Sequence, residues 1–150
     1  MKTKTGNYFE CSVKYDKMME NGAMKKVTEA YCVEAMSFAE AEKRITDETA
    51  IYSQGEFEVK KIAPASYSEV FINDEIKGDP IYFKAKLEFI TIDEVTAKEK
   101  KTAVNYLVVA SDFADSLRIV QESMSSSMMD YVTAKIVQSN ILDIFSNDED

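Results

Sequence analysis

Among the side chains able to do chemistry in this 150-residue chain, the lysines are the most suggestively arranged. Lys25-Lys26 recurs as Lys100-Lys101 at a spacing of 75, with Lys98 beside the second pair, and Lys61 recurs as Lys135 at a spacing of 74. Brought together beside Tyr8 and Tyr82, two such pairs could hold phosphates by charge-assisted hydrogen bonds and stack bases on the rings. The competing reading is plainer: lysines at hairpin ends solubilise them and blunt exposed sheet edges. Charge favours the plainer reading. The chain has 27 acidic against 18 basic residues, a net of -9, whereas nucleic-acid binders usually carry a basic excess.

Other chemistries are poorly supplied. Histidine is absent, which removes the usual general base and the commonest metal ligand. The two cysteines, Cys11 and Cys32, form no Cys-x-x-Cys pair, so neither a zinc site nor a disulfide scaffold is supported. Four scattered glycines build no phosphate cradle or dinucleotide fingerprint. Carboxylates are plentiful but form no recognisable acid/base pair. Asp74-Glu75, Asp79 and the tail Asn147-Asp148-Glu149-Asp150 read as solvated charge, since EF-hand spacing is missing. No catalytic residue, cofactor or metal is therefore expected. Methionines cluster at Met18, Met19 and Met24 and again at Met124, Met128 and Met129. Gap-filling in the core is the expected role, with an adaptable interaction surface as the alternative.

The elements that must position these residues come as an internal repeat. Tyr8-Phe9 recurs as Tyr82-Phe83, Tyr31-x-Val33-x-Ala35 as Tyr106-x-Val108-x-Ala110, Phe38-Ala39 as Phe113-Ala114, and Glu69-Val70-Phe71 as Asp143-Ile144-Phe145. Offsets of 74 and 75 define a repeat at 8–71, a polar linker at 72–81, a repeat at 82–145 and an acidic tail at 146–150, together a single domain. Five of the nine net negative charges lie in the linker and tail.

Phe9, Cys11, Val13 and Tyr15 alternate with polar residues, the period-two signature of a half-buried strand. Asn21-Gly22 marks a hairpin. A three-residue loop there pairs Phe9 with Val33, Cys11 with Tyr31 and Tyr15 with Val27, keeping apolar residues on one face. Phe83/Val108, Ala85/Tyr106 and Leu87/Val104 agree, so Cys11 and Cys32 are expected as free thiols on opposite faces. Ser37-Phe38-Ala39-Glu40 is a capping box opening a helix whose face is Phe38, Ala41, Ile45 and Tyr52. Asp112 caps a second helix with the stripe Phe113, Leu117, Val120 and Met124. Strands follow at Phe57 to Ala63, broken by Pro64, and at Tyr131 to Val137. Short extended pieces end each half at Ser68 to Ile72 and Ile141 to Phe145. The expected fold is α+β: two tandem β-β-α-β(β) repeats forming a pseudo-twofold antiparallel sheet domain with two helices.

The run Tyr8-Phe9-Glu10-Cys11-Ser12-Val13-Lys14-Tyr15, then Met19-Glu20-Asn21-Gly22, Lys25-Lys26-Val27-Thr28-Glu29 and Ser37-Phe38-Ala39-Glu40-Ala41-Glu42, resembles an uncharacterised domain family of unknown function. That family occurs in Bacteroides-group bacteria and their phages. Phe83-Lys84-Ala85-Lys86 and Lys98-Glu99-Lys100-Lys101 continue the resemblance over nearly the whole chain. It implies a cytoplasmic setting in a bacterium or phage-infected cell and offers no catalytic residues to carry over. Met1 to Gly6 leads into no signal-peptide core, and no apolar run approaches the roughly 20 residues of a membrane helix. The function expected is a non-enzymatic interaction protein, a phage or mobile-element accessory acting on a host protein. The acidic surface would suit a basic partner. A binder of single-stranded nucleic acid or a small nucleotide, using Lys25, Lys26, Lys100, Lys101, Tyr8 and Tyr82, is the alternative, and carboxylate enzymology ranks last. Open sheet edges make a homo-oligomer a further expectation.

Overall fold

Alternating residues become strands throughout. In chain order the elements are β1 (Lys2–Lys4), β2 (Tyr8–Met18), β3 (Met24–Glu34), α1 (Phe38–Thr49), β4 (Phe57–Ala65), β5 (Tyr67–Ile72), β6 (Ile81–Ile92), β7 (Glu99–Ala110), α2 (Phe113–Met124), β8 (Asp130–Gln138) and β9 (Ile141–Phe145). The computed structural model describes residues 1–147, so Asp148, Glu149 and Asp150 of the acidic tail lie outside the described residues.

The β2–β3 hairpin closes over Glu20-Asn21-Gly22, with Gly22 at φ 82° in the left-handed region that suits glycine. Phe9 pairs with Val33, Cys11 with Tyr31 and Tyr15 with Val27; Phe83/Val108, Ala85/Tyr106 and Leu87/Val104 repeat the register. Cys11 therefore joins the core beneath α1, while Cys32 faces the other way, and no disulfide links them. Burial, reinforced by Glu10, pushes the Cys11 thiol up to about 11, so it stays protonated and unreactive.

The chain forms two compact units that do not coincide with the sequence halves. One comprises Met1–Gly6 with Tyr67–Ser139, the other Asn7–Ser66 with the segment from Asn140 onward. The first unit has the sheet order β1-β5-β7-β6-β8 and the second β4-β2-β3-β9. Both sheets are mixed rather than wholly antiparallel, because β5 runs parallel to β7 and β9 parallel to β3. The last strand of each half has crossed to the sheet of the other, and a strand arriving by a long crossover is free of the reversal a tight hairpin imposes.

Within themselves the units match in detail. Phe9 meets Phe38 edge-on as Phe83 meets Phe113, Tyr15 tilts on Phe57 as Phe89 does on Tyr131, and Tyr31 stacks on Phe145 as Tyr106 does on Phe71. Register shifts fall at equivalent places, Ser12/Val13 on β2 and Lys86/Leu87 on β6.

The helices start where their caps place them. The Ser37 hydroxyl accepts from the Glu40 N–H at 3.1 Å, and Asp112 accepts from the Asp115 N–H at 2.7 Å. Ala41, Ile45 and Thr49 are the buried face of α1. Phe38 is exposed apart from its edge on Phe9, and Tyr52 lies beyond the helix in a 3-10 turn, Ala50–Tyr52. The α2 face is rotated from the expected stripe: Ser116, Ile119 and Val120 are buried, while Phe113 is exposed. Ser116 permits close approach to the sheet because its hydroxyl is satisfied by the Phe113 carbonyl at 2.6 Å. β4 continues through Pro64, which an edge strand tolerates.

Length explains the methionines. Each helix has 12 residues, about 18 Å, whereas β2 has 11 residues, about 37 Å. The hairpin ends run past the helices. Met18, Met19 and Met24 consequently lie exposed instead of filling core gaps; Met128 and Met129 are exposed in the connector from α2 to β8, and Met124 alone of the six packs on a core.

Candidate functional site

The residues singled out for nucleic-acid contact do not gather within either unit. Lys25, Lys26, Lys100 and Lys101 are all exposed near the hairpin ends, with Lys26 paired to Glu56 at 3.5 Å and Asp16 at 3.9 Å. Tyr8 and Tyr82 are only 3% and 5% exposed and offer no open ring face. They also sit at the far ends of their strands. Tyr8 is opposite Glu34 while Lys26 is opposite Asp16, eight residues along β2, or roughly 27 Å. Tyr82 opposite Val109 and Lys101 opposite Ile90 repeat that separation. The Asn21-Gly22 turn puts Lys25-Lys26 at the closed end of the hairpin and Tyr8 at its open end, a separation already contained in the spacing.

A different group does gather, in the second unit. Where the β2–β3 hairpin runs past the end of α1, a cavity of about 450 Å³ opens on the inner face of the sheet. The sheet contributes Tyr15, Lys17, Glu29 and Tyr31. The end of α1 and the turn after it contribute Glu48, Thr49 and Tyr52, and β9 supplies Leu142, Asp143 and Phe145. Glu29 is the centre of this arrangement, its side chain only 11% exposed. Its Oε1 accepts from the Tyr15 hydroxyl at 2.5 Å and from the Tyr31 hydroxyl at 2.9 Å. The Lys17 ammonium donates to Oε2 at 3.3 Å from a side chain that is 44% exposed.

The electrostatics follow from those bonds. Burial alone would raise Glu29, but the donors Tyr15, Tyr31 and Lys17 outweigh it and hold the carboxyl below its ordinary value. Burial raises Tyr15 and Tyr31, and donation to the Glu29 carboxylate raises them further. Near neutral pH the cluster is therefore one fixed anion and two fixed donors, with no proton poised to move. Glu48 and Asp143 add two carboxylates to the lining against the single ammonium of Lys17. The adjacent C-terminal end of α1 adds the negative pole of its dipole. Among the described residues, no group of three or more His, Cys, Asp or Glu could hold a metal ion.

The sequence model of a family described as Domain of unknown function (DUF4494) matches residues 7–147. The chain belongs to the DUF4494 family. No curated protein and no solved structure matches it.

The Glu29 cluster of this DUF4494 chain is inconspicuous in the sequence because each member looks ordinary alone. Two signals could have found it. The register that pairs Cys11 with Tyr31 also places Glu29 opposite Val13, on the inner face between Val27 and Tyr31. The repeat then aligns Glu29 with Val104. A carboxylate facing inward where its counterpart is valine stands out from the core pattern.

Proposed function

We propose that this DUF4494 protein is a non-enzymatic binding protein that takes a basic partner protein through the acidic, aromatic-walled cavity of its second unit. The setting is a bacterial cytoplasm, where it serves as a phage or mobile-element accessory acting on a host protein; the sequence resemblance supports that setting. The observation that carries the function is the ionised, nearly buried Glu29, held by two phenols at the wall of an open cavity. A carboxylate kept charged away from bulk water is costly, and its counterpart on the matching strand is Val104, so the fold does not demand it. The lining carries a net charge of two negatives, which attracts a cation and repels phosphate.

The test is capture from a native host lysate at low and high salt, comparing the wild type with a Glu29→Gln/Asp143→Asn variant. A basic protein retained at low salt, shed at high salt and lost by the variant is the expected result. Equal capture by both forms would sink the proposal. Retention of oligonucleotides at low salt, abolished by Lys25→Glu with Lys100→Glu, would replace it with the nucleic-acid reading.

A further inference from the structure

From the seat that Lys17 takes on Glu29, we infer that the cavity is a subsite for an alkylammonium cation and that Lys17 is its internal occupant, displaced when the ligand enters. This deepens the binding function above and rests on it. Three observations converge. First, an ammonium already sits there: Lys17 Nζ lies 3.3 Å from Glu29 Oε2 while its side chain remains 44% exposed. A contact that long, on a stem so open to solvent, holds its place weakly and can be exchanged. Second, Glu29 Oε1 is saturated by the two phenols, which fixes the carboxylate and leaves Oε2, the oxygen Lys17 holds, as the one at which donors can exchange. Third, the rest of the lining suits the alkyl part and the charge together. Tyr52, Leu142 and Phe145 offer ring and methyl surface, and Glu48 and Asp143 add further negative charge to the lining. A volume of about 450 Å³ is of the size that small ligands or single side chains fill.

The ammonium can come from a free amine or from a lysine of a partner. Both present the same head on an aliphatic stem. The proposed exchange makes and breaks no covalent bond: one ammonium leaves Oε2 for solvent as another takes its place.

The exchange makes an unusual prediction, because removing a residue from the site should tighten binding. Calorimetric titration would use n-butylammonium, with n-butanol as the uncharged control and an end-capped Gly-Lys-Gly peptide as the side-chain source. The wild type should bind butylammonium and not butanol. Lys17→Gln should bind it about two- to fivefold more tightly, the strength of the exposed pair it removes. Glu29→Gln should bind it at least tenfold more weakly, and a matching urea midpoint would show that variant to be folded. Stronger binding of the peptide than of the free amine assigns the site to a protein lysine; the reverse assigns it to a small amine. Unchanged or weaker binding in Lys17→Gln, or equal binding of butanol, would overturn the inference. If that happens while basic-partner capture still depends on Glu29 and Asp143, the ammonium exchange fails and the broader function stands. Loss of that dependence removes both.

Discussion

On equivalent positions of matching strands, the second unit carries Tyr15, Lys17, Glu29 and Tyr31 where the first carries Phe89, Thr91, Val104 and Tyr106. The backbone registers agree, and the tyrosine common to both stacks on the phenylalanine of the exchanged strand, Tyr31 on Phe145 and Tyr106 on Phe71. A hairpin with a helix over half its length closes equally well with either set. Valine needs no hydrogen-bond partner, whereas glutamate needs its charge compensated from within the protein. The first unit shows what folding requires, and what the second adds beyond that belongs to its cavity.

The exchanged phenylalanines test the division most severely. Phe71 is 1% exposed in the core of the first unit, while Phe145 is half-buried and forms a cavity wall. Phe71→Ala should cost about 3–5 kcal/mol and Phe145→Ala no more than about half of that, read as urea midpoints. Equal costs would make Phe145 core and the cavity an ordinary packing fault.

Grafting the glutamate onto the first unit comes next. Val104→Glu should destabilise by about 2 kcal/mol, because Phe89 and Thr91 stand where Tyr15 and Lys17 would donate to it. Acid separates the two carboxyls. Glu29 has a folded pKa below the ordinary 4.5, so its contribution is present above that value and is lost as pH falls through the folded one. The carboxyl introduced by Val104→Glu, with Tyr106 alone in place of three donors, would be raised instead, and protonation would relieve it. On acidification the wild type should lose stability while the Val104→Glu variant recovers part of its deficit. Asp115 responds separately and lower. Burial pushes it up, but donors from Ser111, Asn73 and Arg118 bring it down to about 2 from 3.8, so its loss begins below 3.8. A Val104→Glu variant that tracks the wild type through acid would mean the first unit can also satisfy a carboxylate.

Much of this architecture was legible in the residues. The hairpin register, the two helix caps and the terminal strands all follow from alternation, Asn21-Gly22 and the Ser37 and Asp112 caps, which are local signals. The strand exchange was not legible, because Ser68 to Ile72 and Ile141 to Phe145 read alike whichever sheet they join. Helix faces failed at Phe38, Phe113 and Tyr52, where position at a helix end outweighed hydrophobicity. The Glu29 cluster escaped notice for a related reason. Lysine pairs announce themselves in a sequence, while Glu29 becomes conspicuous only when register and repeat are combined.

The smallest expected change in stability decides what the Glu29 group is for. Tyr15→Phe with Glu29→Val gives the second unit the residues of the first at those two positions. The change removes a desolvated charge together with one of its two phenol donors, and it leaves the Tyr31 hydroxyl and the Lys17 ammonium to solvent at the open cavity. The Tyr31 hydroxyl lines a cavity open to solvent, which can replace the acceptor it loses. The urea midpoint should therefore move by no more than about 1 kcal/mol in free energy, while butylammonium binding disappears. A variant that unfolds would show the cluster to be a structural network, and the contrast between units would then describe two ways of filling a sheet. A variant that folds and still binds would move the cation away from Glu29, toward Glu48 and Asp143. Only stability retained with binding lost makes the second unit the working half of the molecule.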